Sequence, residues 1–186
     1  MIDLEIQFDK DKYQDLIARA TLYNRDIDKA INRAARRAGE SGKTETKKQM
    51  ASEYTLPSGD IGKTIEVKPL SEGMEMRIFS SVQDIMEFKG VKPKTPSGNG
   101  RVVVEVKKGN TFDVERGFVG YLQKGQQRIG LYQRDAARSN VLRRYHGPTT
   151  VGMFKANETV HNAAVEKIME TLDKRMIHEL ERILDV

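Results

Sequence analysis

Cysteine is absent from all 186 residues. Its absence excludes disulfides, thiolate metal sites and cysteine nucleophiles, and permits folding in a reducing cytosol. No apolar run approaches the roughly 20 residues needed to span a bilayer. The opening residues Met1-Ile2-Asp3-Leu4-Glu5 lack a basic region followed by an apolar stretch, so no secretory signal is expected. Hydrophobic residues make up 38% of the chain against 32% charged, slightly short of apolar material to bury. That balance suits one core of ordinary size, or a modest core with long extensions.

Charge is plentiful and unevenly spread. The net charge is +5, and the segment from Gly120 to Thr150 equals it, with Lys124, Arg128, Arg134, Arg138, Arg143 and Arg144 against Asp135 alone. From Glu158 onward the balance reverses, seven carboxylates facing Lys167, Lys174, Arg175 and Arg182. Either these are two solvated faces of opposite sign, or they serve a subunit that meets its own copies or an oppositely charged partner.

Hydrophobic periodicity predicts the elements. Leu4 to Phe8 alternates as a strand, and Asp9 can cap a helix that aligns Tyr13, Leu16, Ile17 and Ala20. A second helix starts after Asn24 or Asp26, with Ile27, Ala30, Ile31, Ala34, Ala35 and Ala38 on one side and Arg33, Arg36 and Arg37 on the other. Its small residues let another backbone approach. Gly39 and Gly42 weaken it by about 1 kcal/mol each relative to alanine, yet no proline intervenes before Pro57, so continuity to about Tyr54 is expected. A turn at 56–60 then opens a short helical turn through Ile61.

The period changes to two at 64–68 and 74–79, a predicted hairpin in which Glu66 and Glu75 can face each other. Further strands are expected at 101–107, 117–122 and 128–133. The Pro/Gly/Lys-rich stretch within 87–100 and the basic stretch 134–150 read as long loops. The final helix, capped by Asn157 or Thr159, repeats Val165, Ile168, Met169, Leu172, Met176, Leu180, Ile183 and Leu184 at three- and four-residue spacing. The expected fold is α+β: an antiparallel β-sheet of about five strands with long N-terminal and C-terminal helices packed on it, and long loops. Residues 1–186 read as a single domain, with 1–24 as an N-terminal extension and 87–100 and 134–150 as long basic loops.

Motifs of catalysis are missing. There is no phosphate-binding Gly-x-x-x-x-Gly-Lys, no Gly-x-Gly-x-x-Gly after a strand and no Gly-x-Ser-x-Gly. Of the three histidines, His161 and His178 stand too far apart on one helix to share a metal, and His146 precedes Gly-Pro as a turn residue. No catalytic residue, cofactor or metal is therefore assigned, and no enzymatic activity is expected. Lys124, Arg128, Arg134, Arg138, Arg143 and Arg144, interleaved with Tyr132 and Tyr145, are the candidate interface or DNA-channel contacts. They can act through a diffuse field on phosphates, and a basic nucleic-acid-binding module is the alternative function.

Four stretches resemble the phage minor tail protein Z family and related tail-completion proteins of long-tailed bacteriophages. They are Lys29-Ala30-Ile31-Asn32-Arg33-Ala34-Ala35-Arg36-Arg37; Met50-Ala51-Ser52-Glu53-Tyr54-Thr55-Leu56-Pro57 leading to Ile61 and Ile65; Gly117-Phe118-Val119-Gly120 through Arg128-Ile129-Gly130-Leu131; and Tyr145-His146-Gly147-Pro148-Thr149 before the acidic helix. Together they span roughly residues 25–186. The resemblance implies a structural virion protein, a tail-completion or terminator subunit. Such a subunit acts at the head-proximal end of the tail in head–tail joining and is made in the host cytoplasm. It implies a homo-oligomeric ring, sixfold as is common in such relatives, with tail-tube, terminator or head–tail connector proteins as partners. Non-specific contact with DNA in the channel and no membrane association complete the expectation.

Overall fold

The computed structural model describes residues 1–7, 9–22, 26–70, 73–93, 101–121, 129–135 and 141–184. The chain opens with strand β1 (Ile2–Gln7), a 3-10 turn (Asp11–Tyr13) and helix α1 (Gln14–Leu22). Asp9 Oδ1 accepts from the Asp11 backbone N–H at 2.9 Å, which fixes the entry to this turn. Helix α2 (Ile27–Glu53) follows, capped by Asp26 accepting from the Lys29 N–H at 3.2 Å, and then the short α3 (Ser58–Gly62). Strands β2 (Ile65–Leu70) and β3 (Gly73–Ile78) form the expected hairpin. After these come β4 (Val82–Asp84), β5 (Gly90–Pro93), β6 (Arg101–Lys107), β7 (Asn110–Glu115) and β8 (Gly117–Gly120). The chain then forms β9 (Gly130–Arg134), β10 (Leu142–Arg144), β11 (His146–Thr149), α4 (Thr150–Lys155) and α5 (Glu158–Leu184).

The fold is α+β with antiparallel pairing throughout, and its strands are shared among small sheets ordered β1-β3-β2, β10-β9-β8, β11-β4 and β5-β6-β7. Helices α2 and α5 run antiparallel: Arg33 lies by Glu179, Ser41 Oγ accepts from Thr171 at 3.0 Å, and Gly42 meets Ile168. From α5 the buried line is Val160, Ala164, Ile168, Leu172, Met176 and Leu180, a strict four-residue repeat. Met169 falls outside it and is 43% exposed. Each large side chain on that line contributes about 1.5–3 kcal/mol by leaving water.

Helix α2 is buried on two sides. Besides α5 it packs on sheet β1-β3-β2, whose inner face carries Ile2, Leu4, Ile6, Ile65, Val67, Met74, Met76 and Ile78. The two glycines expected to weaken α2 are the points of closest approach. A β-carbon on Gly39 would lie 2.3 Å from Val67 Cγ1, and one on Gly42 would lie 2.2 Å from Ile168 Cγ1. Any side chain there would hold sheet and helix apart.

Several stretches differ from the sequence reading. Segment 1–24, read as an extension, sets β1 alongside β3 from Ile2↔Ile78 to Gln7↔Gly73, and Tyr13 is buried. Glu66 and Glu75 do not face each other: Glu66 pairs with Arg77 and Glu75 with Lys68. Residues 90–93 within the expected loop 87–100 form β5, which pairs with β6, while 94–100 lie outside the described residues. Segment 134–150 likewise carries β10 and β11, with 136–140 outside the described residues. Strand β7, not foreseen, returns on β6 through a turn where Gly109 adopts φ +79°, a conformation glycine takes without steric cost. His146 is an exposed strand residue opposite Asp84 rather than a turn residue.

Candidate assembly surface

The basic segment is built on the sheet β10-β9-β8. Register places Phe118, Tyr132 and Arg144 in one column and Gly117, Gln133 and Arg143 in the next. Because successive side chains alternate across a strand, Arg134 and Arg144 share the face of Tyr132, and Arg143 lies on the opposite face with Tyr145. On the first face the Arg134 guanidinium stands 5.3 Å from the Phe118 ring centre, and Phe118 in turn stands 5.8 Å from Tyr132. Arg144 is tied down: its Nη2 lies 2.7 Å from Asp84 Oδ2, joining β10 to β4. Arg143 is exposed, with no ion-pair partner among the described residues. Lys124, Arg128 and Arg138 lie outside the described residues. The six cations therefore do not present one surface in the part described; three of them divide between two faces.

The Tyr145-His146-Gly147-Pro148-Thr149 stretch has a packing role. A β-carbon on Gly147 would lie 2.3 Å from Phe88 Cε2, so the ring can only seat against a glycine. Thr149 then caps α4, its hydroxyl oxygen accepting from the Gly152 N–H at 3.0 Å.

Three of the six carboxylates on α5 are engaged within the chain. Glu170 accepts from Lys174 Nζ at 2.6 Å and Lys167 Nζ at 2.9 Å. These lysines, Lys174 foremost, hold its carboxyl down at about 2. Asp173 is held below the usual carboxylate range by Lys12 and by the Tyr13 hydroxyl, both at 2.6 Å. Glu179, 8% exposed, has Oε2 3.0 Å from Arg182 Nη2 and 3.7 Å from Arg33 Nη1, charge contacts without hydrogen-bond alignment. The helix that reads as an acidic partner for the basic segment has spent these three carboxylates on its own fold.

No known family model, curated protein or solved structure matches this chain.

Open sheet edges are the most conspicuous feature of the remaining surface. Strand β7 has β6 as its one strand neighbour among the described residues, and β10 has β9. Along β7 only Val114 is buried, while Phe112 is 43% exposed. Tyr121 and Ile129, which flank the paired Gly120 and Gly130, are also exposed, as are Val82 and Val141. The rest offers little chemistry. A concavity of about 300 Å³ is lined by Asp60, Lys63, Thr64, Phe79, Gln83 and Glu87. Two of its charges are paired, Lys63 Nζ donating to Asp60 Oδ1 at 2.7 Å, and Gln83 donates to the buried Thr150 hydroxyl at 3.2 Å. Among the described residues no group of three or more His, Cys, Asp or Glu could hold a metal ion. No helix of the described residues is long and apolar enough to cross a membrane.

Proposed function

We propose that this protein is a structural virion subunit of a long-tailed bacteriophage. In this reading it is a tail-completion or terminator protein of the minor tail protein Z kind, without catalysis. It closes with its own copies into a ring at the head-proximal end of the tail and mediates head–tail joining. The observation that carries the reading is the pair of open edges on different sheets. An edge strand offers a row of unpaired N–H and C=O groups that another chain completes. Head-to-tail closure needs two unlike, complementary surfaces on each subunit. Here β7 carries Glu115 beside exposed Phe112, its Asp113 being paired with Arg101, and β10 carries the exposed Arg143, its Arg144 being held by Asp84. The four stretches that resemble the family agree with it, since they include the α2 small-residue face and the Gly147 seat.

Tails assembled without this protein provide the test. Adding the purified chain should restore joining of filled heads, read as particles per field by negative-stain microscopy. Tails that accept heads equally well without it would end the proposal.

A further inference from the structure

The strongest charge concentration among the described residues lies on α2. With side chains advancing about 100° per residue, Lys29, Arg33, Arg36, Arg37, Lys43, Lys47 and Lys48 fall within an arc of about 140°. Between residues 29 and 48 the same arc holds one carboxylate, Glu40. At 1.5 Å rise per residue the ridge is about 29 Å long. It points away from the core, for the opposite side carries Ile31, Ala34, Ala35, Ala38, Gly42 and Thr46, all buried.

Three of the seven cations have carboxylate neighbours. Lys29 sits 2.5 Å from Asp26, Arg33 3.7 Å from Glu179 and Lys48 3.6 Å from Glu45. Arg36, Arg37, Lys43 and Lys47 have no ion-pair partner among the described residues, and Arg36 and Arg37 are exposed. A second copy of this chain offers few free carboxylates: among the described residues of α5, Glu158, Glu166 and Glu181 stand without an ion pair and are spread along the helix. On α5, Glu170, Asp173 and Glu179 are engaged internally, and on the outer face of sheet β1-β3-β2 Arg77 holds Asp3 and Glu75 while Lys68 holds Glu66.

We infer that this ridge binds the phosphate backbone of duplex nucleic acid without reading sequence. Its length matches about eight base pairs at about 3.4 Å each, and a linear array of cations without aromatic or amide partners suits phosphates, not base edges. The contact lies on α2 and not on the segment from Gly120 to Thr150. This inference does not rest on ring assembly, because each subunit carries the whole ridge.

The test is fluorescence anisotropy of a labelled 20-base-pair duplex across a salt series, on the full chain and on the variant R36Q/R37Q/K43Q/K47Q. Each phosphate contact contributes about 0.9 to the slope of log affinity against log salt. The quadruple variant should therefore lose about 3.6 units of slope, and R36Q or R37Q alone about 0.9. Scrambling the duplex sequence and substituting R143Q should change neither affinity nor slope. The proposal is overturned if the wild type ignores duplex at low salt, or if the quadruple variant keeps the full slope. It is equally overturned if R143Q removes slope that the α2 variants retain, or if the α2 variants alter only self-association. Arg36 and Arg37 face solvent, whereas Lys43 and Lys47 are half-buried and the Lys47 stem lies beside Gly62. A far-ultraviolet melt coincident with wild type checks that the quadruple variant keeps its fold, and R36Q and R37Q carry the test if it does not.

Discussion

Gly42 and Ile168 touch so closely that a β-carbon on the glycine would lie 2.2 Å from Ile168 Cγ1. Alanine normally favours a helix over glycine by about 1 kcal/mol, but here the inserted methyl must move a helix. Gly42→Ala should destabilise the protein by about 1–3 kcal/mol net, as overpacking does. Gly59 is the control, with nothing within 4 Å of its would-be β-carbon; Gly59→Ala should be neutral or slightly stabilising. Denaturant midpoints measure both. The pair G42A/I168A should be less damaging than the sum of its single changes, since removing the isoleucine makes room for the methyl.

A second tie joins the N-terminus to the last helix. Tyr13 donates its hydroxyl to Asp173 Oδ1 at 2.6 Å, and burial, reinforced by that carboxylate, pushes the phenol well above its ordinary range. Tyr13→Phe should cost about 1 kcal/mol, the usual net value of one hydrogen bond, with the fold unchanged. If urea unfolding moves by less than a few tenths of a kcal/mol, the contact contributes nothing.

Acid should loosen the final helix through Glu170. Its folded value of about 2 lies below the ordinary 4.5, so on acidification the unfolded chain takes up the proton first. The contribution is complete above about 4.5 and disappears as pH falls toward about 2. A carbon-detected titration should find the Glu170 carboxyl near the lower figure, and K167M/K174M should return it toward the upper one. An ordinary midpoint in the wild type would contradict the bidentate arrangement. The side chain is exposed, so the effect on global stability is small.

The helical frame was legible because its signals are dense. Ala30, Ala34, Ala38 and Met50 mark one face of α2, no proline interrupts it, and α5 repeats an apolar residue every turn. The roles of Gly39 and Gly42 were hidden, because a glycine that admits a neighbouring side chain reads like one that breaks a helix until the neighbour is known. Strand β7 has just two apolar side chains, Phe112 and Val114, and a mostly exposed strand leaves little pattern. Strands β10 and β11 sit among arginines, glycine and proline that suggest a loop, and their pairing depends on β9 and β4, distant in sequence. The basic segment was visible as charge, but its division between two sheet faces follows from register alone. The cationic ridge of α2 was visible in part at Arg33, Arg36 and Arg37; the helix was expected to continue through Gly42, but which of its sides beyond that point faces the core depends on α5 and the sheet packed against it.

Arg143 and Arg144 adjoin in sequence and should behave differently. Arg144 bridges to Asp84, so Arg144→Ala should lower stability slightly, by at most about 1 kcal/mol for an exposed pair. Arg143→Glu removes no such bridge. It should leave thermal unfolding unchanged while weakening self-association if β10 is one side of the subunit contact. Melting curves and sedimentation of the two variants, side by side, separate these effects.

The mass of the protein in solution and on tails tests the assembly account most directly. Sedimentation equilibrium over a wide concentration range, with and without added tail tubes, should find the 21.1 kDa chain in a closed multimer, sixfold by expectation, free or tail-bound. A chain that remains a monomer at every concentration and never sediments with tails would contradict it.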